Sequence, residues 1–247
     1  MFGIKNSIWN EFDRVLSEAG QISFWWRDDD VRASKPKFCK SNFKFDSRLK
    51  NTLSLLQEYH ISGVFAIIPD KFPENSAKQA DMLKRFEMPV TLHGLKHEDN
   101  NSDGHKCEFP DSCDNEKALA DILAYQAEFE KIFGRLLLPV FVPPYNSINA
   151  VLEQKLLDNG FRLVSKRNAD GNTNPYDVDI DFMNWQTYKM RSARDILTDI
   201  IGLIKQGQKV IGFNNHHRCI SRFDRRFFRK LFKVLASHDN VKWIMPL

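Results

Sequence analysis

The chain has no long apolar run, no closely spaced cysteine pair and no glycine-rich nucleotide loop, and each absence narrows what its 247 residues can be. No stretch approaches the roughly 20 apolar residues that a membrane-spanning helix needs. The opening "MFGIKNSIWNEFDRV" lacks the apolar core and cleavage signal of a secretory leader, so a cytoplasmic protein is the expectation. The four cysteines, Cys39, Cys107, Cys113 and Cys219, form no CxxC pair. Cys107 and Cys113 could meet across Pro110, but reduced thiols are the simpler reading. The dinucleotide glycine fingerprint and the P-loop are both missing, so nothing points to nucleotide binding. The formal charge of +4 is too mild to argue for nucleic acid. No low-complexity linker divides the chain, and one domain over residues 1–247 is expected.

What is present is alternation. Short β-rich runs at "ISFWWR", "GVFAIIP", "MPVTLH", "LLLPVFVPP", "FRLVS", "DIDFMNW", "KVIGFNN" and "VKWIM" are interleaved with helical patterns. The clearest helices are "FDSRLKNTLSLLQEYH", "NEKALADILAYQAEFEKIFG", "INAVLEQKLLDNG", "ARDILTDIIGLIKQG" and "FDRRFFRKLFKVLASH". This order predicts an α/β fold with a parallel sheet and outer helices. The repeat count suits a barrel of seven or eight strands, with a doubly wound open sheet as the alternative. Basic residues gather late, at Arg218, Arg222, Arg225, Arg226, Arg229, Lys230 and Lys233. They read as a solvated helix face, or alternatively as a peripheral contact for an anionic partner.

Residues able to do chemistry cluster at strand ends. Asp28, Asp29 and Asp30 follow the first strand, His93 ends the third, and His97 lies four residues on. Pro143, Pro144 and Tyr145 end the fourth strand, and His216 and His217 follow "KVIGFNN". In a parallel barrel all these ends share one face, the face that carries active sites. Imidazole and carboxylate together bind zinc and similar divalent metals. Two histidines and one aspartate would leave open positions for water and substrate. A second aspartate could accept the water's proton, and a histidine opposite could protonate the leaving group. A cation would also neutralise part of an otherwise self-repelling acidic run.

The order and spacing of "WRDDDV", "HGLKH", "VPPYN", "DIDFMNW" and "GFNNHH" resemble the polysaccharide deacetylase superfamily (carbohydrate esterase family 4 and relatives). The resemblance covers essentially the whole chain. It is closer still to a bacterial subgroup with W-R-D-D-D, H-G-x-x-H, P-P-W-N and paired-histidine motifs. It implies a distorted (β/α)7–8 barrel and metal-dependent hydrolysis of an N-acetyl, sometimes O-acetyl, group on a sugar. By position, Asp28 would be the general base and His216 the general acid. Asp29, His93 and His97 would hold the metal: zinc, with nickel, cobalt or iron also compatible. Tyr145 would offer its backbone N–H to the oxyanion, with Pro144, Asn146, Asp181 and Trp185 around the substrate.

Asp30, Arg27, His217, His105 and Glu108 are secondary candidates. Asp30 could support the site or exchange roles with Asp29. The family's motif arginine, which steadies the base, is Val142 here, and Arg27 is the candidate to compensate. A cytoplasmic location implies an acetylated sugar, nucleotide sugar or lipid-linked glycan precursor for the cell surface. A catalytically silent carbohydrate-binding barrel and a metal-dependent amidohydrolase of non-sugar amides are the competing readings.

Overall fold

One aromatic strand organises the molecule. In the computed structural model, which describes residues 3–32, 45–168 and 174–246, this strand is flanked by parallel neighbours on both edges. The elements in chain order are α1 (Gly3–Glu18), β1 (Ile22–Val31), α2 (Phe45–Glu58), β2 (Gly63–Ile67), α3 (Phe72–Asn75) and α4 (Ala77–Arg85). Next come β3 (Val90–His93), α5 (Asn115–Phe133), β4 (Leu137–Val142), α6 (Ala150–Asp158), β5 (Leu163–Val164), β6 (Ile180–Asp181), β7 (Met183–Asn184) and β8 (Lys189–Met190). The chain finishes with α7 (Ala193–Lys205), β9 (Val210–Asn215), α8 (Asp224–Ala236) and β10 (Val241–Trp243).

The main sheet is parallel throughout, in the order β5-β4-β3-β2-β1-β9-β6, with β10 joined to the start of β1. Beyond β5 and before β6 the chain forms one more parallel bridge, Arg167 with Val178. The Val178 N–H donates to Lys166 O at 2.9 Å, and the Asn168 N–H donates to Val178 O at 2.8 Å. The curled sheet is thereby drawn into the distorted barrel expected from the alternation. The strand read in "DIDFMNW" divides into β6, in the barrel, and β7, which forms an antiparallel hairpin with β8.

Strand parity sorts the side chains. Phe24 and Trp26 of β1, Phe65 and Ile67 of β2, Phe141 of β4 and Phe213 of β9 join the large core beneath the helices. Ala66, Val140, Val142 and Leu163 form a smaller cluster of the opposite parity, inside the barrel. Trp26 shows the outer packing, with the Phe182, Phe228 and Phe232 rings 5.5–5.6 Å away. The helices start where capping side chains occur: Asp114, Asn149 and Ser192 accept from the N–H groups of Lys117, Leu152 and Asp195. The basic C-terminal run folds as α8, whose Phe228, Leu231, Phe232 and Leu235 are buried while Arg226, Arg229, Lys230 and Lys233 stay exposed. Arg218 departs from the solvated-face reading: it is buried in the turn after β9. Cys107, Cys113 and Cys219 are free thiols, and Cys39 lies outside the described residues.

Candidate active site

The three aspartates do not follow β1 but lie within it, and a register shift separates their roles. Asp28 pairs with Phe65 of β2, yet the next matched pair is Val31 with Ile67, so one extra residue is accommodated between them. Asp30 absorbs it with a left-handed φ of 65°. Such a bulge bends the strand and re-aims side chains. All three carboxylates are buried, each in a different environment.

Asp30 faces the two histidines. Its Oδ1 lies 3.2 Å from Nε2 of His97 and 3.5 Å from Nε2 of His93. That oxygen is buried and makes no directed hydrogen bond. One ligand atom from each of Asp30, His93 and His97 falls within 4.8 Å of the others, and this is the trio among the described residues with metal-ligand geometry. The Nδ1–H of His93 donates to Val142 O at 2.9 Å, which turns Nε2 toward Asp30. Burial pulls the His97 imidazole down to about 4, against the attraction of Asp30. It stays neutral at physiological pH, the form that ligates a metal. Burial works against the charged form of His93 too, but Asp30 and Asp29 outweigh it and raise that ring. Burial would raise the Asp30 carboxyl, yet His93, His97 and His216 together hold it well below the usual carboxylate range. The donor set fits a divalent cation.

The "HGLKH" turn is shaped from behind by Glu108. Its Oε2 accepts from the Leu95 N–H at 3.0 Å, and Oε1 accepts from Lys96 at 2.7 Å and His97 at 2.9 Å. Gly94 has φ +63°, and a Cβ there would lie 2.0 Å from Glu108 Oε2 and 2.4 Å from Pro144 Cγ. Only glycine fits between the two histidines at that point. Tyr145 covers the other side of His97. Its ring centroid is 4.6 Å from the imidazole, and its hydroxyl donates to His97 O at 3.2 Å. Burial pushes that hydroxyl up to about 12, which keeps it protonated as a donor.

Asp29, expected as the metal ligand, is held elsewhere. Its Oδ2 accepts from Nη2 of Arg27 at 2.9 Å, two residues back on the same face of the strand. Arg27 is fully buried. Nη2 also reaches Asn146 Oδ1 at 2.7 Å, while Nη1 donates to Ser165 Oγ at 3.0 Å and Ser165 O at 3.1 Å. Burial pushes the Asp29 carboxyl up, but Arg27, then His93 and His216, pull harder and leave it below its ordinary value.

Asp28, expected as the base, points to the opposite side. Its Oδ1 accepts from Nδ1–H of His217 at 2.6 Å and from the His217 backbone N–H at 3.2 Å, and Oδ2 accepts from Asn215. The placement differs by one residue from that expected: the geometry unites Asp30, not Asp29, with the histidines, and places Asp29, not Asp28, beside them. Pleat alternation alone could not foresee this, because the bulge interrupts it.

His216 is buried at the C-terminal end of β9, close enough to lower the carboxyls of both Asp29 and Asp30. The Trp185 ring meets it edge-on, with centroids 4.5 Å apart and planes at 84°. Trp185 is itself 39% exposed, and its Nε1–H donates to Asp181 Oδ2 at 2.7 Å. Trp185 and Asp181 line a groove of about 550 Å³ along the β7–β8 hairpin. Pro144 is buried against Gly94. His105 does not join the cluster: it is exposed in the loop, where its backbone bonds to Asp103 and Asn101.

Comparison with known proteins agrees with this fold. The polysaccharide deacetylase family model matches residues 41–164, half of the chain. No curated protein is matched. Among solved structures, a polysaccharide deacetylase from Bacillus cereus is 17% identical with a TM-score of 0.53, over 92% of each chain. A family 4 carbohydrate esterase from Streptomyces lividans, in complex with acetate, is 14% identical with a TM-score of 0.54, again over 92% of each. A family 4 pseudoenzyme from Bacillus anthracis is 12% identical with a TM-score of 0.59, over 91% of this chain but 64% of that one, so the present chain spans under two thirds of its length. At these identities the structural likenesses show the fold, and the family match carries the assignment. With its parallel barrel and the "HGLKH" turn inside the matched span, the chain belongs to the polysaccharide deacetylase family.

Proposed function

We propose that residues 1–247 form one catalytic domain that removes an acetyl group, foremost an N-acetyl group, from a sugar or glycan precursor. The observation that carries this reading is the convergence of Asp30, His93 and His97 beside an Arg27-held Asp29, with His216 at the neighbouring strand end. A divalent cation held by the trio, zinc first among nickel, cobalt and iron, supplies Lewis-acid polarisation and a water of lowered pKa. Asp29 takes the proton from the attacking water, because its charged form is favoured and it has no competing imidazole partner at Oδ1. Arg27 fixes that carboxylate in orientation, supplying from within the strand what the family's motif arginine supplies and Val142 cannot. The backbone N–H of Tyr145 is the candidate donor to the oxyanion. His216, steadied by the edge of Trp185, returns a proton to the departing amine. The substrate would be an acetylated sugar, nucleotide sugar or lipid-linked glycan in the cytoplasm. No described helix is long and apolar enough to cross a membrane.

The test is acetate release from N-acetylglucosamine oligomers and an O-acetylated sugar by zinc-loaded protein. Turnover and bound metal should both disappear in His93→Ala and Asp30→Ala. Val142 motivates the second reading, a silent carbohydrate-binding barrel. Sugar binding without acetate release under zinc, nickel, cobalt and iron would favour it, and turnover confined to non-sugar amides would point to a different amidohydrolase.

A further inference from the structure

Three aspartates and two histidines stand where the proposed chemistry uses two and one at these strand ends, and the surplus residues meet each other. Asp28 precedes the proposed base, His217 follows the proposed acid, and both are buried. Their side chains join at 2.6 Å on the helix side of the sheet. We infer that Asp28 and His217 form a positioning pair that sets His216 relative to Asp29.

The argument rests on where the three donors to Asp28 lie. Asn215 is its register partner across the β1–β9 ladder and donates from its side chain to Oδ2. His217 donates to Oδ1 twice, from its backbone N–H and from Nδ1. These donors bracket His216 on both sides in sequence. The chain turns sharply at that point, with the Cys219 N–H bonded back to His216 O at 2.8 Å. The ladder between β1 and β9 ends at Asp28 and Asn215, so His216 is the first residue beyond its support. Asp28 extends that support with side-chain bonds. It does so from the residue covalently joined to Asp29, so base and acid are referred to one fixed point. A buried carboxylate with three donors is well satisfied, and a bidentate grip on residue 217 restricts the rotation that would swing residue 216 away.

This inference rests on the proposed roles of Asp29 and His216. Its test therefore has two arms, in zinc-loaded full-length protein. In the first, Asp28→Asn and His217→Ala are assayed on the N-acetylglucosamine tetrasaccharide. Displacing a reacting group by about 1 Å can cost on the order of 100-fold. We expect kcat to fall at least tenfold with KM and bound zinc unchanged, the double variant to be no worse than the poorer single one, and His217→Gln, which keeps a donor, to recover part of the loss. In the second arm, the imidazole CH resonance of His216, assigned by its loss in His216→Asn, reports its distance from the Trp185 ring without any turnover. It should move toward its random-coil position in both variants. If folded variants keep wild-type kcat and that resonance stays put, the pair only stabilises the fold and the inference falls. If wild type releases no acetate, the functional reading fails, and the resonance alone decides the positioning.

Discussion

Replacing Arg27 with methionine removes the strut under the proposed base while keeping most of the side-chain volume. The fully buried guanidinium bonds Asp29, Asn146 and both oxygens of Ser165. Its loss leaves a buried carboxylate without its counter-charge. Breaking a buried pair from one side costs about 3–5 kcal/mol, out of a total stability of about 5–15 kcal/mol. We expect a loss in that range by urea denaturation at neutral pH, with chelator present so that no cation compensates. The pH dependence follows from Asp29, whose carboxyl sits below its ordinary value of 3.8 because Arg27, His93 and His216 outweigh burial. Stability from such a group is present above the unfolded value and is lost as pH falls through the folded one. Without Arg27, burial dominates and the carboxyl rises. The gap between wild type and variant should therefore be widest at neutral pH and narrow on acidification toward 3.8 and below. Arg27→Lys should fall between them, since it keeps the charge but not the planar fork. A loss below about 1 kcal/mol, as for exposed ion pairs, or a gap unchanged by acid, would refute the assigned role.

Gly94→Ala forces a Cβ to 2.0 Å from Glu108 Oε2 at a left-handed φ; strain of this kind costs about 1–3 kcal/mol, and zinc affinity measured by calorimetry should drop more than tenfold. Glu108→Gln turns an amide donor onto the Leu95–His97 N–H groups and should destabilise by about 1–3 kcal/mol at pH 7. Burial raises the Glu108 carboxyl above 4.5, with the backbone N–H groups opposing. Wild type therefore gains stability as pH falls through that raised value, and the glutamine deficit should widen toward 4.5 in thermal melts, opposite in sign to Arg27→Met.

Most of the fold could be read from alternation, since β2, β4 and β9 are apolar runs and α5, α6 and α7 carry caps and closing signals. The alternation of strands and helices does not announce helix α1, although its buried Phe12, Val15 and Leu16 share a helical face. His93 and His216 are legible in the sequence because they close or follow strand-like runs, and His97 because it is the second histidine of "HGLKH". The division among the aspartates was not. Pleat parity would put Asp28 and Asp30 on one face, and a bulge leaves no mark in a run of identical residues. Glu108 is only a secondary candidate in the sequence, which does not disclose it as the acceptor that shapes the "HGLKH" turn. Its partners are backbone N–H groups, which no side-chain motif announces.

The single bridge between Arg167 and Val178 gives the barrel an uneven stiffness. Along β3-β2-β1-β9 every neighbour is held by a ladder, and that wall carries His93, the aspartates and the turn at His216. The β5–β6 edge has a single backbone bridge, backed by side-chain bonds of Ser165 to Tyr176 O, of Asp177 to the Lys166 N–H and of Asn168 to Asp179. Local opening is cheapest where backbone pairing is sparsest. Arg27 reaches across to Ser165 and Lys166 at this seam while holding Asp29, so the seam and that carboxylate are mechanically tied, and slackening one would loosen the other.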